Sequence, residues 1–432
     1  MEHQNPTIFL SSILKKGLLI LSFFFLLVQS SWALYLLVPM DLEQKNHLKA
    51  YGIAYWTLEQ GIEVKWLLNY RGGSFLIPYY PEIENECLVR GVSVDKIADV
   101  QSSSILADIA RPEVNQDAIS MQKAPKIAVY SPPNKQPWDD AVTMVLTYAE
   151  IPYDIIYDEE ILTDKLKDYD WLHLHHEDFT GQFGKFFRSY QHMPWYQQEV
   201  NTNKELATQL GFSKVSEMKR AVTKTIQQYI VRGGFLFAMC AATDTYDIAM
   251  AADGVDICES MYDGDPADPQ MNEKLDYDKT LAFHDFKVVK DPFQYEFSDI
   301  DVSTSRKVSP AQDFFTLFDF SAKWDPVPTM LTQNHQRIIK GFMGQTTAFR
   351  DQLIKSNVLV MGENKAAGEA RYIHGELGKG FWTFYGGHDP EDYRHLVGDP
   401  PTDLNLHPNS PGYRLILNNI LFPAAKKKKQ KT

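Results

Sequence analysis

The sequence is poor in cysteine and lacks the glycine-rich signatures of nucleotide-binding proteins. Its 432 residues include three cysteines, too few for a disulfide-stabilised scaffold, and the odd number leaves at least one thiol without a partner in the chain. Neither G-x-x-x-x-G-K-S/T nor G-x-G-x-x-G occurs, so nothing indicates a bound nucleotide. Lys and Arg (43) are fewer than Asp and Glu (56), and the resulting net charge of −13 argues against nucleic acid as a partner.

Long apolar runs are scarce as well. The one candidate, residues 17–28 (GLLILSFFFLLV), follows two lysines and precedes Ser31 and Ala33, a pattern typical of a secretory signal peptide. We therefore expect residues 1–33 to be removed on export to the periplasm or the medium, with no stable membrane anchor left afterwards. An uncleaved anchor is the alternative, although the run is short of the roughly 20 residues that a spanning helix needs. Residues 426–432 (KKKKQKT) form a basic tail.

The rest of the chain alternates between apolar strand patterns and helical patterns. Strands are predicted at 34–38, 63–68, 126–130, 153–157, 171–175, 235–239, 358–361 and 381–385, and helices at 46–60, 138–149, 215–231, 243–252 and 413–421. Because several of these strands are apolar throughout, we expect an α/β fold with a parallel sheet covered by helices on both faces. The segments 34–68 and 126–157 resemble each other and suggest two related βαβ units.

Composition divides the chain after the signal segment into two parts. Residues 34–123 are predicted to form an N-terminal α/β unit, and the polar stretch 102–123 within it is interpreted as a linker. Residues 124–425 are predicted to form the main domain. Within it, residues from about 262 to 330 are rich in Asp, Pro and aromatic residues, which predicts loops and short antiparallel strands inserted over one edge of the sheet.

The clearest chemical signal is a cysteine at the end of a predicted strand. The segment GGFLFAMCAAT passes from an apolar strand through Cys240 directly into a helix, as a nucleophile elbow does. The small neighbours Ala238, Ala241 and Ala242 leave room for a substrate. A helix N-terminus stabilises a thiolate and offers N–H groups to an oxyanion. A buried, inert thiol is the alternative interpretation.

A histidine with nearby carboxylates is the second signal. In FYGGHDPED, His388 follows a predicted strand and a glycine pair, and Asp389 and Glu391 come one and three residues later. An imidazole at a strand end can accept a thiol proton, and a carboxylate close by can fix its tautomer. Taken alone, the same histidine could be purely structural.

The segment WLHLHHED places three histidines and two acids at the end of another predicted strand. Strand alternation sends His173 and His175 to one side and His176 to the other, which is a poor arrangement for a single metal ion. Since C-x-x-C and H-E-x-x-H are also absent, we predict no metal and no cofactor. His175, His176 and Glu177 are instead predicted to position a substrate at this edge of the sheet.

The elbow, the late histidine and the α/β order together resemble the class I glutamine amidotransferase-like superfamily. The resemblance covers roughly residues 124–260 and 335–423 and implies a flavodoxin-like, doubly wound parallel sheet with a catalytic triad of Cys240, His388 and Glu391. Two features depart from the family pattern: alanines replace the glycines of G-x-C-x-G, and H-D-P-E replaces H-P-E. The second departure makes Asp389 a competitor of Glu391.

The whole mature chain also resembles an exported bacterial family that carries the label asparagine synthetase B. The resemblance rests on MDLEQKNHLKAYGIAYW, HLHHEDFTGQ, DFSAKWDPVPTML and FYGGHDPEDY. The catalytic N-terminal cysteine and the S-G-G-x-D-S loop of true asparagine synthetases are missing. The label is therefore taken as a name rather than as a mechanism.

Three functional hypotheses follow. The first is a cysteine hydrolase of an amide or related C–N bond in a small molecule or peptide, with Cys240 as nucleophile, His388 as proton carrier and the Ala241 N–H in the oxyanion hole. The second is a noncatalytic sugar- or peptide-binding module. Its cleft would be lined by aromatic residues, namely Trp171, Phe179, Phe183, Trp195 and Tyr385. The third is a zinc hydrolase built on His173, His175 and His388.

Overall fold

The computed structural model describes residues 34–134, 136–332 and 336–425. The predicted signal peptide and the basic tail lie outside these residues. No helix within them is both long and apolar enough to cross a membrane.

The described strands form two sheets. The N-terminal sheet consists of β1 (Leu34–Val38), β2 (Val64–Leu68), β3 (Ser74–Pro78), β4 (Asp95–Ala98) and β5 (Asp117–Met121). The larger sheet consists of β6 (Ile127–Tyr130), β7 (Asp154–Ile156), β8 (Trp171–Leu174), β9 (Phe235–Met239), β10 (Phe314–Leu317), β11 (Ile338–Lys340), β12 (Phe349–Arg350), β13 (Leu359–Asn364), β14 (Glu369–Leu377) and β15 (Gly380–Tyr385).

The α-helices of the described residues lie between these strands. They are α1 (His47–Glu59), α2 (Pro81–Val89), α3 (Asp99–Ile109), α4 (Ala141–Ala149), α5 (Asp158–Leu162), α6 (Phe187–Tyr190), α7 (Pro194–Gln209), α8 (Val215–Arg232), α9 (Ala242–Ala251), α10 (Ser260–Asp263), α11 (Pro328–Leu331) and α12 (Pro411–Leu421).

The N-terminal sheet is antiparallel, with the strand order β4-β1-β3-β2-β5. The predicted parallel sheet is therefore wrong for this unit. Strands β1 and β2 point the same way, but β3 lies between them and pairs with both. The predicted linker 102–123 is wrong as well, because it contains most of α3 and the whole of β5. Strand β5 adds to the edge of the sheet beside β2.

The larger sheet is mixed. Its order is β11-β10-β13-β14-β15-β9-β8-β6-β7, and β12 pairs with β14. Strands β7, β6, β8, β9 and β15 are parallel, and numbered along the chain among themselves they lie in the order 2-1-3-4-5. The remaining strands are antiparallel. Most of the predicted insertion, residues 262–330, consists of loops and short helical turns, and β10 near its end extends the sheet through β13.

The parallel strands are covered on both faces, as predicted for an α/β fold. In β9, Phe235, Phe237 and Met239 belong to one hydrophobic cluster, whereas Leu236 and Ala238 belong to another. The first cluster takes in α1, α4 and α12, and the second takes in α8 and α9. Because the first cluster also contains residues of the N-terminal sheet, the two sheets share a core.

A buried arginine joins the two sheets. Arg414 of α12 is 1% exposed, and its guanidinium donates hydrogen bonds to the carbonyls of Met40 (3.1 Å), Thr332 (3.1 Å) and Gly72. Its Nε also donates to the Tyr51 hydroxyl at 3.0 Å. These bonds satisfy backbone groups that would otherwise be buried without partners.

We expect Arg414→Met to destabilise the protein by roughly 3 kcal/mol or more, since three buried carbonyls lose their donor. The matched control is Arg232→Met, because the Arg232 side chain is 70% exposed. Thermal unfolding of the two variants measures the difference. Equal melting temperatures would contradict the structural role of Arg414.

Candidate functional site

Four strand ends bring the candidate site together. The chain leaves β6 and reaches Asp139 before α4, leaves β8 at His175, leaves β9 at Cys240 and leaves β15 for His388. Because these strands are neighbours and parallel, their carboxyl ends meet at one edge of the sheet. This edge is where open α/β sheets bind ligands.

Cys240 occupies a strained turn between β9 and α9. Its φ of 50° lies in the left-handed region, which costs a residue other than glycine on the order of 1–3 kcal/mol. Thr243 stabilises the turn, because its N–H (3.2 Å) and hydroxyl (2.7 Å) both donate to the Cys240 carbonyl. The elbow predicted from the sequence is therefore present in the backbone.

The backbone N–H groups of the turn are the candidate donors to an oxyanion. Thr243 N–H donates to the Cys240 carbonyl, and Ala242 N–H donates to the His175 carbonyl at 3.0 Å. Ala241 N–H has no partner among the turn, loop and cap hydrogen bonds of the described residues. Its contact with an oxyanion stays a prediction.

His388 lies beside Cys240 in a tightly packed loop. Gly387 has a φ of 99°, and a Cβ there would lie 2.5 Å from the ring of Phe342. His388 N–H donates to the Met343 carbonyl at 2.9 Å, so the loop is fixed on both sides of the histidine. A ring nitrogen of His388 lies within 4.8 Å of the Cys240 sulfur, which confirms that the two come together.

The carboxylate that faces His388 is Asp139, a residue that the sequence analysis did not select. His388 Nε2 lies 3.6 Å from Asp139 Oδ1, and both side chains are largely buried. Burial disfavours the charged imidazole, but its interactions with Asp139 and Cys240 outweigh this effect and raise the pKa of His388 to about 10. The same ring, together with His395, lowers the pKa of Asp139 despite its burial. The charged forms of His388 and Asp139 thus favour each other.

Glu391 and Asp389 point elsewhere, so the predicted orienting role of either residue is wrong. Glu391 Oε2 lies 3.2 Å from His407 Nδ1. Asp389 is fully buried, accepts a hydrogen bond from the Thr402 hydroxyl at 2.7 Å and caps the turn through the Glu391 N–H at 2.8 Å. The turn after His388 directs both carboxylates away from the imidazole, and Asp389 is not part of a substrate surface.

Two further residues of the site were not anticipated. His395 stacks on His388 with ring centroids 4.7 Å apart, and its Nε2 lies 3.0 Å from Asp139 Oδ1. Gln345 donates its backbone N–H to the Cys240 sulfur at 3.4 Å, and its side-chain Nε2 donates to the Gly184 carbonyl at 2.8 Å.

The histidines after β8 are closer together than strand alternation predicts. Strand β8 ends at Leu174, so His175 and His176 belong to the following loop, and their rings stack with centroids 3.9 Å apart. Both rings also contact His388, at centroid distances of 4.9 and 4.7 Å. His173 and His175 both face Asp140, at 3.1 and 3.3 Å, and so lie on one side as predicted. The prediction that His175 and His176 point to opposite sides is wrong, because their rings stack. The alternation of side chains along a strand does not apply to them, since β8 ends at Leu174.

Burial keeps both of these imidazoles neutral. It lowers the pKa of His175 to about 4, against an opposing contribution from Asp140, and it lowers the pKa of His176 well below its usual range. Among the predicted substrate residues, Glu177 uses one carboxylate oxygen to accept the His175 N–H at 2.8 Å. Burial raises the pKa of Glu177 to about 8.

A cavity of about 100 Å³, partly open to solvent, lies against this site. Asp139, His176 and Glu177 form the part of its wall that borders the candidate triad, and Trp138, Phe183 and Lys219 are further along. A ligand in this cavity would reach His176 and Asp139 directly, whereas Cys240 and His388 do not line its wall. Of the five aromatic residues predicted to form a binding cleft, only Phe183 lines the cavity. Three of the five are buried in the core instead, namely Trp171, Phe179 and Tyr385.

No family model matches the chain, and no curated protein matches it either. Among solved structures, it is similar to "Cytoplasmic Protein STM3548 from Salmonella typhimurium", with 11% identity, 70% of this chain and 100% of that chain covered, and a TM-score of 0.33. It is also similar to "Cytoplasmic Protein STM1381 from Salmonella typhimurium LT2", with 12% identity, the same coverage and a TM-score of 0.31. Similarity at this level carries no inference about fold or function.

Mutation can distinguish whether Asp139 or Glu391 orients His388. We expect Asp139→Asn to slow alkylation of Cys240 by iodoacetamide at neutral pH about tenfold or more, because the imidazolium that stabilises the thiolate loses its carboxylate. Glu391→Gln should leave the rate within about twofold, since its carboxylate faces His407. Peptide mass mapping over time measures both rates. A larger effect of Glu391→Gln would restore the role predicted from the sequence.

Proposed function

We propose that the protein is a cysteine hydrolase of an amide or related C–N bond, with Cys240, His388 and Asp139 as its triad. The observation that supports this most strongly is the position of His388. Its ring lies between the Cys240 sulfur on the strained elbow and the carboxylate of Asp139. This is the order of nucleophile, base and orienting acid that covalent catalysis requires.

The proposed reaction has two steps. The Cys240 thiolate attacks the carbonyl carbon, the imidazolium of His388 donates its proton to the leaving amine, and the C–N bond breaks to leave a thioester. The neutral His388 then takes a proton from water, the resulting hydroxide attacks the thioester carbonyl, the C–S bond breaks, and the carboxylic acid is released, which restores the Cys240 thiolate beside the His388 imidazolium. The Ala241 N–H stabilises the oxyanion in both steps. Asp139 keeps the imidazole in the required tautomer.

We further propose that the larger sheet is a flavodoxin-like, class I glutamine amidotransferase-like domain. The order 2-1-3-4-5 of its five parallel strands supports this, as does the placement of the elbow at the end of the fourth. Export through the signal segment and the relation to the exported family labelled asparagine synthetase B remain part of the proposal. They rest on the sequence alone.

The cavity supports a small substrate. Its wall combines aromatic rings with Glu177, Glu199 and Lys219, which suits a small molecule or a peptide end carrying polar groups. The burial of Trp171, Phe179 and Tyr385 removes most of the aromatic cleft on which the noncatalytic binding module was based. We therefore favour the hydrolase.

The proposed function predicts that an activated ester acylates Cys240. Before the quench, we expect the full chain to release p-nitrophenol steadily from p-nitrophenyl acetate. After brief exposure and rapid acid quenching, we expect an acetyl group on the peptide that contains Cys240. Cys240→Ala should lose both signals. Cys87→Ala, which removes a thiol buried in the N-terminal unit, should keep them. Acetylation that is equal in wild type and Cys240→Ala would contradict the proposal.

A further inference from the structure

The residues around Cys240 form a donor set that the triad alone does not explain. His175, His176, Cys240 and His388 each offer one ligand atom, and these atoms lie within 4.8 Å of one another. A tetrahedral zinc ion, with bonds of about 2.0–2.3 Å, holds its donors about 3.3–3.8 Å apart. Binding therefore requires donor shifts of about 1 Å and rotation of the His175 and His176 rings, whose planes lie 11° apart, so that both nitrogens point at one ion.

The best indication of a ligand is an unpartnered nitrogen on His175. This side chain is 0% exposed, and among the described residues its Nε2 has no hydrogen-bond partner. Its other nitrogen, Nδ1, makes no hydrogen bond within the same residues either, but it lies 3.3 Å from Asp140 Oδ2, so Nε2 is the nitrogen that faces no carboxylate. A buried polar atom without a partner is rare in folded proteins and needs a reason.

The outer nitrogens of all three imidazoles face acceptors. His175 Nδ1 faces Asp140, His176 Nε2 contacts the Asp139 carbonyl at 2.7 Å, and His388 Nε2 faces the Asp139 carboxylate. Histidines that bind metals almost always donate their second N–H to a carboxylate or a carbonyl in this way. The backbone N–H of Gln345 plays the corresponding part for the sulfur, because it donates a hydrogen bond to Cys240 Sγ. Thiolates that bind metals commonly accept backbone hydrogen bonds.

We propose that these four side chains bind a thiophilic divalent cation, with Zn²⁺ as the best match. One sulfur and three imidazole nitrogens favour zinc over Mg²⁺ or Ca²⁺, which prefer oxygen ligands. Binding displaces to solvent the one proton that Cys240 and His388 hold between them, so the complex of Zn²⁺, one thiolate and three neutral imidazoles carries one net positive charge. The neighbouring carboxylates of Asp139 and Asp140 compensate it.

A bound cation would control the proposed enzyme. Zinc on Cys240 and His388 occupies both the nucleophile and its base, so the metal-loaded form is the inactive form. This consequence rests on the proposed function, whereas the binding itself does not. The predicted pairing of His173, His175 and His388 in a zinc hydrolase is replaced by a site that includes Cys240 and excludes His173.

The test measures Zn²⁺ binding to the full chain after metal removal, by competition with a chromophoric chelator. We expect one Zn²⁺ per chain in the wild type and binding about 100-fold weaker or worse in His175→Ala. His284→Ala removes a half-exposed imidazole at another place and should bind as the wild type does. Equal affinity in wild type and His175→Ala, or no Zn²⁺ binding by the wild type, would overturn the inference. Thermal melting establishes that the variants are folded.

A second measurement does not depend on the stability of His175→Ala. Co²⁺ added to the wild type should give the charge-transfer band of a Co²⁺–thiolate bond, and Cys240→Ser should lose that band. A wild type without the band would overturn the inference.

Alkylation separates the two proposals. Zn²⁺ should protect Cys240 of the wild type from iodoacetamide, and Mg²⁺ should not. If Zn²⁺ neither binds nor protects while Cys240 remains the fastest-reacting thiol, the metal site fails and the hydrolase stands. If Zn²⁺ binds but metal-free Cys240 is inert, the hydrolase fails and the metal site stands.

Discussion

The contact between the Cys240 sulfur, the His388 ring and the Asp139 carboxylate is the interaction on which the functional account depends. The three residues come from loops that are far apart in the sequence. They meet because β6, β9 and β15 belong to one set of parallel strands whose carboxyl ends share an edge. A buried ion pair of this kind is stable only when its charges face each other. The sheet order, the strained elbow and the histidine loop therefore act together.

The local elements of the fold could be predicted from the sequence, but their pairing could not. The strand at 235–239 and the elbow after it follow from an apolar run that ends in small residues, and the structure has the strand at the same bounds. Helix α7 was missed because its residues are largely polar. The antiparallel N-terminal sheet was also missed. Its order depends on β3, which inserts between two strands that looked adjacent along the chain.

In the candidate site as well, the residues marked by their sequence neighbours could be predicted, and the residue brought in by the folded sheet could not. Cys240 and His388 were found because each follows an apolar strand, a signal carried by neighbouring residues. Asp139 was missed, since only the folded sheet brings the start of α4 to His388. Glu391 attracted attention through proximity in sequence, yet the turn directs it to His407. The available signal for Asp139 was its position just after the first parallel strand, where ligand-binding side chains collect.

The crowding of imidazoles around one sulfur connects the triad with the proposed metal site. Both interpretations require Cys240 to be a thiolate with His388 as its neighbour. They differ in the part played by His175 and His176, whose rings stack next to His388. In the triad they shape the substrate edge, and in the metal site they complete the coordination of the ion.

The most direct measurement of the central claim is the order in which the three cysteines of the native, metal-free protein react with iodoacetamide. Cys87 and Cys258 are fully buried, and burial raises the pKa of the Cys87 thiol to about 12 and that of Cys258 well above its usual range. The account predicts that Cys240 is modified first at neutral pH, while the other two stay intact until the protein unfolds. Modification of all three only on unfolding, at one common rate, would contradict it.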